Sequence, residues 1–185
     1  GNSNDAEQDP TSGGSAAAQP KIYDGTTGVV TENGKPIIQL VVNNPSTLLA
    51  NTAITSSNSH LFGVAKVGQS GSSIFIGVDF STAHLWSNIN SSGTGAVGTD
   101  LHINGAASSI TTQGQVYSQF SNQTLFNAKY DLSSATQTRI GMQAGSGSDY
   151  KMYNTQEFIL YTTAQTSTTR EGIESNQNTF YDIYS

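Results

Sequence analysis

The sequence predicts an all-β domain, an antiparallel β-sandwich with one short C-terminal helix. Charged residues make up only 11% of the chain, against about 25% in an ordinary soluble domain, and Ser, Thr, Asn, Gln and Gly take their place. Strands tolerate Ser, Thr and Gln on a solvent face, and turns favour Gly, Asn and Ser. Short apolar runs alternate with these turn residues, which is the spacing of many short strands and is typical of an extracellular β-protein.

Size and charge limit the organisation and the partners. The 185 residues fit a single domain, and the absence of Cys means that packing and hydrogen bonds alone stabilise it. A net charge of −6 with seven Lys and Arg residues argues against nucleic acid and anionic lipid as partners. The sequence has no apolar run near the roughly 20 residues of a membrane span, so no membrane insertion is expected.

The first strands follow a polar opening segment. Residues 1–20 are predicted as an extended arm or loop because Pro and Gly interrupt a stretch without periodicity. The domain is predicted to occupy residues 21–185. Turn pairs Asp24-Gly25 and Asn33-Gly34 alternate with apolar runs at 29–30 and 37–42, which predicts consecutive strands.

A hairpin is predicted next, from strands 60–67 and 74–80 joined by a turn rich in Gly and Ser. Weaker strands are predicted at 84–88, 101–104, 124–130, 138–143 and 157–162. This regular spacing favours an antiparallel sandwich.

The C-terminal segment predicts a helix at about 169–184. Thr168 stands three residues before Glu171, which is the capping-box arrangement at a helix start. The spacing predicts an apolar and aromatic stripe that packs on the domain, formed by Ile173, Gln177, Phe180 and Tyr184.

Catalytic and metal-binding patterns are weak. A glycosidase needs two carboxylates about 5 to 10 Å apart, and no pair at strand spacing occurs among Glu32, Glu157, Glu171 and Glu174. Three separate predicted strands hold His60, His84 and His102, which are expected to be partly buried strand residues rather than metal ligands. Ca²⁺ could be held by turn carboxylates, but EF-hand-like spacing is missing at Asp79, Asp100, Asp131 and Asp149. We therefore predict turn-stabilising aspartates, no cofactor and no enzyme, with a glycosidase as the alternative.

Carbohydrate binding is the function that the residue types favour. Aromatic faces pack against sugar C–H groups, and planar amides bind sugar hydroxyls. The first predicted platform is Trp86 beside Asn88 and Asn90, and the second is the pair Tyr150 and Tyr153. The alternative at each position is structural, because a lone Trp in a sandwich often lies in the core and Tyr near strand ends often packs.

Three stretches together resemble one family. GNSNDAEQ (1–8), QPKIYDGTTGVVTENGKPIIQL (19–40) and EFILYTTAQTSTTREGIESNQNTFYDIY (157–184) are similar to segments of concanavalin A-like (laminin-G-like) jelly-roll domains of bacteriophage tail-fibre and other virion surface proteins. The chain departs from the family at QLVVNNPS (39–46), where members often carry a second Asp. Because the first stretch begins inside the family's motif, we expect this chain to be part of a longer polypeptide or to be completed by a neighbour.

The resemblance implies a jelly roll on a virion surface or in the extracellular space. It implies a non-enzymatic tail-fibre, receptor-binding or decoration module that binds host-surface glycans, other virion proteins or further copies of itself as a homo-oligomer. The alternatives are a purely structural capsid or fibre subunit, and a secreted bacterial module that binds or cleaves glycans.

Overall fold

The computed structural model describes residues 6–8, 20–39, 48–50, 54–67, 78–79, 99–110, 115, 118–133, 138–140 and 153–185. These residues include twelve strands and a C-terminal helix. The strands are β1 (Ala6–Gln8), β2 (Thr31–Glu32), β3 (Lys35–Pro36), β4 (Ile38–Gln39), β5 (Leu48–Ala50), β6 (Ser59–Val67), β7 (Val78–Asp79), β8 (Thr99–Ile103), β9 (Ala106–Ala107), β10 (Thr124–Tyr130), β11 (Thr138–Ile140) and β12 (Tyr153–Tyr161), and the helix is α1 (Ser167–Tyr181).

The strands form two large antiparallel sheets and one small hairpin. A six-stranded sheet has the order β4-β12-β6-β10-β8-β9, a four-stranded sheet has the order β1-β5-β11-β7, and β2 pairs with β3. Neighbouring strands run antiparallel throughout. The predicted all-β antiparallel sandwich with one C-terminal helix is confirmed. Within the described ranges, no helix has the length and apolar character that a membrane crossing needs.

The central strands β6 and β10 are buried on both faces. They pair from Thr124↔Ala65 to Tyr130↔Ser59. On one face, Val64 and Leu125 pack against Tyr181 of α1. The core of the domain therefore lies on both sides of this strand pair, with α1 covering one side.

The opposite face of the pair carries an aromatic cluster. The ring of Phe126 packs edge-on against Phe120 and Phe158, with centroid separations of 5.3 and 6.1 Å. A Cβ at Gly63 would lie 2.6 Å from the ring of Phe126 and 2.8 Å from that of Phe158. The missing side chain of Gly63 therefore makes room for both rings.

The helix α1 begins earlier and ends earlier than the sequence predicts. Its N-cap is Thr166, whose Oγ1 accepts a hydrogen bond from the backbone N of Thr169 at 3.2 Å. The predicted capping box of Thr168 and Glu171 is therefore wrong, and Glu171 pairs with Arg170 instead. The helix ends at Tyr181 because the next residue, Asp182, adopts the left-handed conformation with φ of 54°.

The buried face of α1 also differs from the predicted stripe. Buried helix residues are Glu174, Gln177 and Tyr181, whereas Phe180 is 53% exposed. Of the four residues in the predicted stripe, only Gln177 is fully buried. The sheet surface below the helix is partly polar, so hydrogen bonds to Glu174 and Gln177 set the orientation and leave the ring of Phe180 outside.

The predicted hairpin of residues 60–67 and 74–80 is wrong. β6 is flanked by β10 and β12 in the six-stranded sheet, whereas β7 pairs with β11 in the other sheet, with Val78 opposite Ile140. Both edges of β6 are occupied along most of its length by strands that lie far away in the chain. A local partner would have to displace one of these longer pairings.

Other strand predictions agree to different degrees. β10 has the predicted bounds, β8 and β12 overlap the predicted strands, and β11 covers the start of 138–143. The Asn33-Gly34 turn is confirmed: both residues have positive φ, 49° and 69°, as a type I′ hairpin between β2 and β3 requires. Residues 84–88 lie outside the described residues. Part of the predicted arm, β1, pairs with β5 at the edge of the four-stranded sheet.

Candidate functional site

The predicted glycan platforms fall mainly outside the described residues. Trp86, Asn88, Asn90 and Tyr150 all lie there. Tyr153 begins β12 and pairs with Val67, and the description covers its backbone alone. These positions stay predictions. The concave sites in the described part of the chain include an apolar groove at a sheet edge and a polar cavity at the start of α1.

The first site is an apolar groove of about 340 Å³ at the edge of the six-stranded sheet. Two of its side chains project far into solvent: Ile22 is 63% exposed and Tyr23 is 60% exposed. The groove is lined by Ile22, Tyr23, Val29, Pro36, Ile37, Ile38 and Gln156.

A hydrogen-bonded turn holds Tyr23 in place. The backbone of Tyr23 bridges Val29 across the turn. Inside the turn, Asp24 Oδ1 accepts from the backbone N of Thr26 at 2.8 Å and of Thr27 at 2.7 Å. The Thr27 hydroxyl, followed by these two backbone donors, lowers the pKa of Asp24 to about 2. The carboxylate therefore stays ionised and keeps the turn in one conformation over the ordinary pH range.

Gln156 supplies the polar group of the apolar groove. Its Nε2 donates to the backbone oxygens of Glu32 at 3.2 Å and Lys35 at 3.4 Å, which ties the β2–β3 turn to β12. Its Oε1 is buried and has no hydrogen-bond partner within the described part of the chain. The groove thus combines an exposed aromatic ring with a buried amide oxygen that has no donor among the described residues.

The second site is a polar cavity of about 110 Å³ at the start of α1. Strands β6, β8 and β10 contribute its floor and one wall, and the segment that leads into α1 contributes the other wall. The polar cavity is lined by His60, Asp100, His102, Lys129, Gln165, Ser167 and Arg170.

His60 forms the floor of the polar cavity and is fully buried. Its Nδ1 accepts from the backbone N of Gln165 at 3.2 Å, so its Nε2 carries the proton and donates to Asn127 Oδ1 at 3.0 Å. Burial lowers the pKa of His60 below its usual value of 6.5. Both ring nitrogens are in use, so this imidazole holds the entry to the helix and is not placed to act as a base.

A polar chain continues from His60 under the helix. Asn127 Nδ2 donates to Glu174 Oε1, and Arg170 Nη1 lies 3.3 Å from both oxygens of Glu174. Asn127 is fully buried and Glu174 is 2% exposed. These contacts satisfy polar groups that would otherwise be costly to bury, and they fix one wall of the polar cavity.

The opposite wall contains an ion pair between Lys129 and Asp100. The hydrogen bond from Lys129 holds the pKa of Asp100 below its usual value. Asp100 adopts a positive φ of 52°, and its backbone oxygen is hydrogen-bonded to His102 Nδ1 at 3.2 Å. The prediction of Asp100 as a turn-stabilising residue is wrong, because it lies in β8 and pairs across the sheet.

The remaining metal and catalytic candidates occupy different settings. His60 and His102, predicted in separate strands, meet at the polar cavity. Within the described ranges, no group of three His, Cys, Asp or Glu side chains could hold a metal ion. Asp131 stabilises its own turn through the backbone N of Ser133 at 3.0 Å, as predicted. The backbone of Asp79 is described within β7, whereas His84 and Asp149 lie outside the described residues.

The glutamates weighed for glycoside cleavage are engaged in the fold. Glu32 pairs with Lys66 at 2.8 Å, and Glu157 accepts from Gln177 at 2.9 Å. Glu174 lies on the buried face of α1, and Glu171 pairs with Arg170 at 3.1 Å on the surface. These contacts give each carboxylate a packing or pairing role.

Sequence reasoning named His60, His102 and Asp100 without bringing them together, and it missed Tyr23 and Lys129. A local signal existed for Tyr23, because Ile22, Tyr23 and Val29 place apolar side chains on both sides of a polar turn. The sequence contains no corresponding local signal for Asp100 and Lys129, which come together through the pairing of β8 with β10.

No protein-family model, curated protein or solved structure matches the chain. The fold defines the class, an antiparallel all-β sandwich with a C-terminal helix packed on its larger sheet. The concanavalin A-like assignment stays a prediction from the sequence.

Proposed function

We propose that the chain is a non-enzymatic binding module of an extracellular or virion surface and that it attaches to host-surface glycans through the apolar groove. The observation that carries the proposal is the exposed ring of Tyr23 in a groove whose other wall includes Gln156. The virion setting rests on the sequence resemblance alone.

The exposed ring supports sugar binding on physical grounds. Tyr23 leaves 60% of its surface to solvent, although its backbone is held by a bridge to Val29 and by the Asp24 turn. Aromatic faces of this kind pack against the C–H face of a pyranose, and the backbone that carries the ring is already held in place, which lowers the entropy cost of binding. The groove volume of about 340 Å³ lies within the range of small-ligand sites.

The amide of Gln156 supports the same ligand class. Its Nε2 is committed to the backbone of the β2–β3 turn, so the side chain has a fixed orientation. A buried acceptor without a donor costs about 1–3 kcal/mol, and a sugar hydroxyl would recover that energy if a small shift of the groove wall uncovered Oε1. A neutral sugar also suits a groove whose lining residues are all uncharged.

A glycan array with matched variants tests the proposal. We expect the unmodified protein to bind a subset of glycans and Tyr23→Ala to weaken that binding by about two- to twelvefold, since an aromatic contact contributes about 0.5–1.5 kcal/mol beyond its area. Phe180→Ala is the control, because Phe180 is 53% exposed and lies outside the groove. Equal binding by both variants, or a dark array with folded protein, would refute the proposal.

A purely structural fibre or capsid subunit is the second candidate. The observation that favours it is the exposure of Ile22 and Val29, at 63% and 54%, beside Tyr23. Contiguous exposed apolar side chains mark protein interfaces as well as ligand sites. Light scattering at micromolar concentration separates the two: an oligomer that Ile22→Asn dissociates supports a subunit, and a monomer in both samples supports an independent binding module.

A further inference from the structure

We propose that the polar cavity at the start of α1 binds the vicinal diol edge of a neutral sugar, with Asp100 and Lys129 as the residues that contact it. The ligand class rests on the proposed function, but the site is separate from the apolar groove. The polar cavity would recognise the stereochemistry of the sugar hydroxyls, which an aromatic platform alone distinguishes poorly.

The shape of the polar cavity suits the edge of a sugar rather than a whole ring. Its volume of about 110 Å³ equals the space of roughly three to four liquid waters. The floor is closed by His60, which is fully buried. The mouth is open, because the side chains of Lys129 and Asp100 are 36% and 44% exposed.

The charge arrangement favours a neutral ligand. Lys129 is paired with Asp100, and Arg170 is paired with both Glu171 and Glu174. Each of the two cations and three carboxylates around the polar cavity is therefore paired, with one negative charge in excess. An anion would have to compete with carboxylates already in place, and a cation would have to compete with Lys129 and Arg170.

The Asp100–Lys129 pair offers an acceptor and a donor side by side. A carboxylate has about four lone-pair sites and an ammonium has three N–H groups, so each keeps capacity after the two have paired. Lys129 contacts Asp100 Oδ2, whereas Oδ1 lies 3.9 Å from His102 Nδ1. One hydroxyl of a diol can donate to Asp100 while its neighbour accepts from Lys129.

Contacts around the pair hold the backbone of Asp100 and the side chain of Arg170. The backbone of Asp100 is fixed by its hydrogen bond to His102, and Arg170 is 12% exposed and held by Glu174. Preorganised donors and acceptors lose little entropy on binding. The geometry is therefore ready for a ligand without rearrangement of the helix.

The test follows the imidazole resonances of His60 and His102 by NMR while methyl glycosides of galactose, mannose and glucose are added. The matched control is methyl 3-deoxygalactoside, which lacks a vicinal pair of ring hydroxyls, and sodium acetate probes an anion. We expect His102 to shift with at least one glycoside and to respond about tenfold more weakly to the 3-deoxy compound. Similar shifts with acetate or with the 3-deoxy compound, or shifts with none of the glycosides, would overturn the inference.

The variant Asp100→Asn places the response at the polar cavity. Asn tolerates a positive φ, so this variant is expected to fold, and its thermal midpoint checks that. We expect it to lose the His102 response, whereas Tyr23→Ala keeps it. A response that survives in folded Asp100→Asn would refute the site.

The two proposals fail in different ways. Array binding that depends on Tyr23, without a glycoside shift at His102, supports the groove and refutes the diol site. A His102 shift with glycosides, together with no binding on the array, supports the diol site and refutes glycan binding through the apolar groove.

Discussion

Glu174 anchors α1 to the sheet, and its removal gives the most demanding test of the buried polar chain. Its carboxylate accepts from Asn127 and Arg170 and is 2% exposed. In Glu174→Ala the fully buried amide of Asn127 loses its acceptor, and Arg170, 12% exposed, keeps only its surface contact with Glu171. Removing one partner of a buried pair costs about 3–5 kcal/mol, which corresponds to a drop of roughly 6–20 °C in the thermal midpoint of a chain of this size.

The matched control lies three residues earlier on the same helix. Glu171 also contacts Arg170, at 3.1 Å, but its side chain is 65% exposed. We expect Glu171→Ala to lower the free energy of unfolding by about 1 kcal/mol or less, because exposed ion pairs contribute little. Glu174→Gln should fall between the two, since an amide oxygen still accepts from Asn127 but no longer carries the charge that compensates Arg170.

Urea denaturation followed by circular dichroism measures all three variants against the unmodified protein. From most to least stable, we expect the unmodified protein, Glu171→Ala, Glu174→Gln and Glu174→Ala. Equal losses for Glu174→Ala and Glu171→Ala, both near 1 kcal/mol, would refute the reasoning, because they would mean that the buried chain does not hold the helix.

Three further predictions concern the core, the helix start and acid stability. Gly63→Ala should destabilise the fold by about 1–3 kcal/mol, because its new methyl group meets two phenylalanine rings. Gly172→Ala has open space around its Cβ and should stabilise α1 by about 0.5–1 kcal/mol. Thermal denaturation compares the two variants. Thr166→Ala should cost about 1 kcal/mol through loss of the N-cap, and Thr168→Ala should cost clearly less, so equal costs in urea titrations would contradict the observed cap. The folded pKa of His60 lies below 6.5, so the unfolded chain binds its proton first and the free energy of unfolding falls as the pH drops below about 6.5. His60→Gln should remove that part of the pH dependence, and an unchanged profile in stability measurements from pH 8 to 5 would contradict the assignment.

Features that depend on a few neighbouring residues, such as tight turns and single strands, were predicted from the sequence. The Asn33-Gly34 turn followed from two residues that accept positive φ, and β10 followed from an apolar run with a well-defined start and end. A second Asn-Gly pair, Asn104 and Gly105, has similar positive φ values, 50° and 78°, and turns β8 into β9. Its signal was equally readable, but the strand that follows has two residues and no pattern of its own.

Nonlocal features were beyond the sequence. The wrong hairpin arose because a Gly-Ser turn between apolar runs looks the same whether the runs pair with each other or with distant strands. The wrong helix face arose because Ile173 and Phe180 are apolar, whereas the contacts that orient α1 are made by Glu174 and Gln177 with polar groups of the sheet. The polar cavity depends on strand order, which no local pattern of Asp100 or Lys129 contains.

The position of β6 in the sheet has a consequence for biosynthesis. Its two neighbours are β10 and β12, so the strand formed from residues 59–67 waits for partners that leave the ribosome much later. Until then an apolar segment with two open edges is available to other chains. Pairings between such distant segments also slow folding, which lengthens the period in which β6 can pair with other chains.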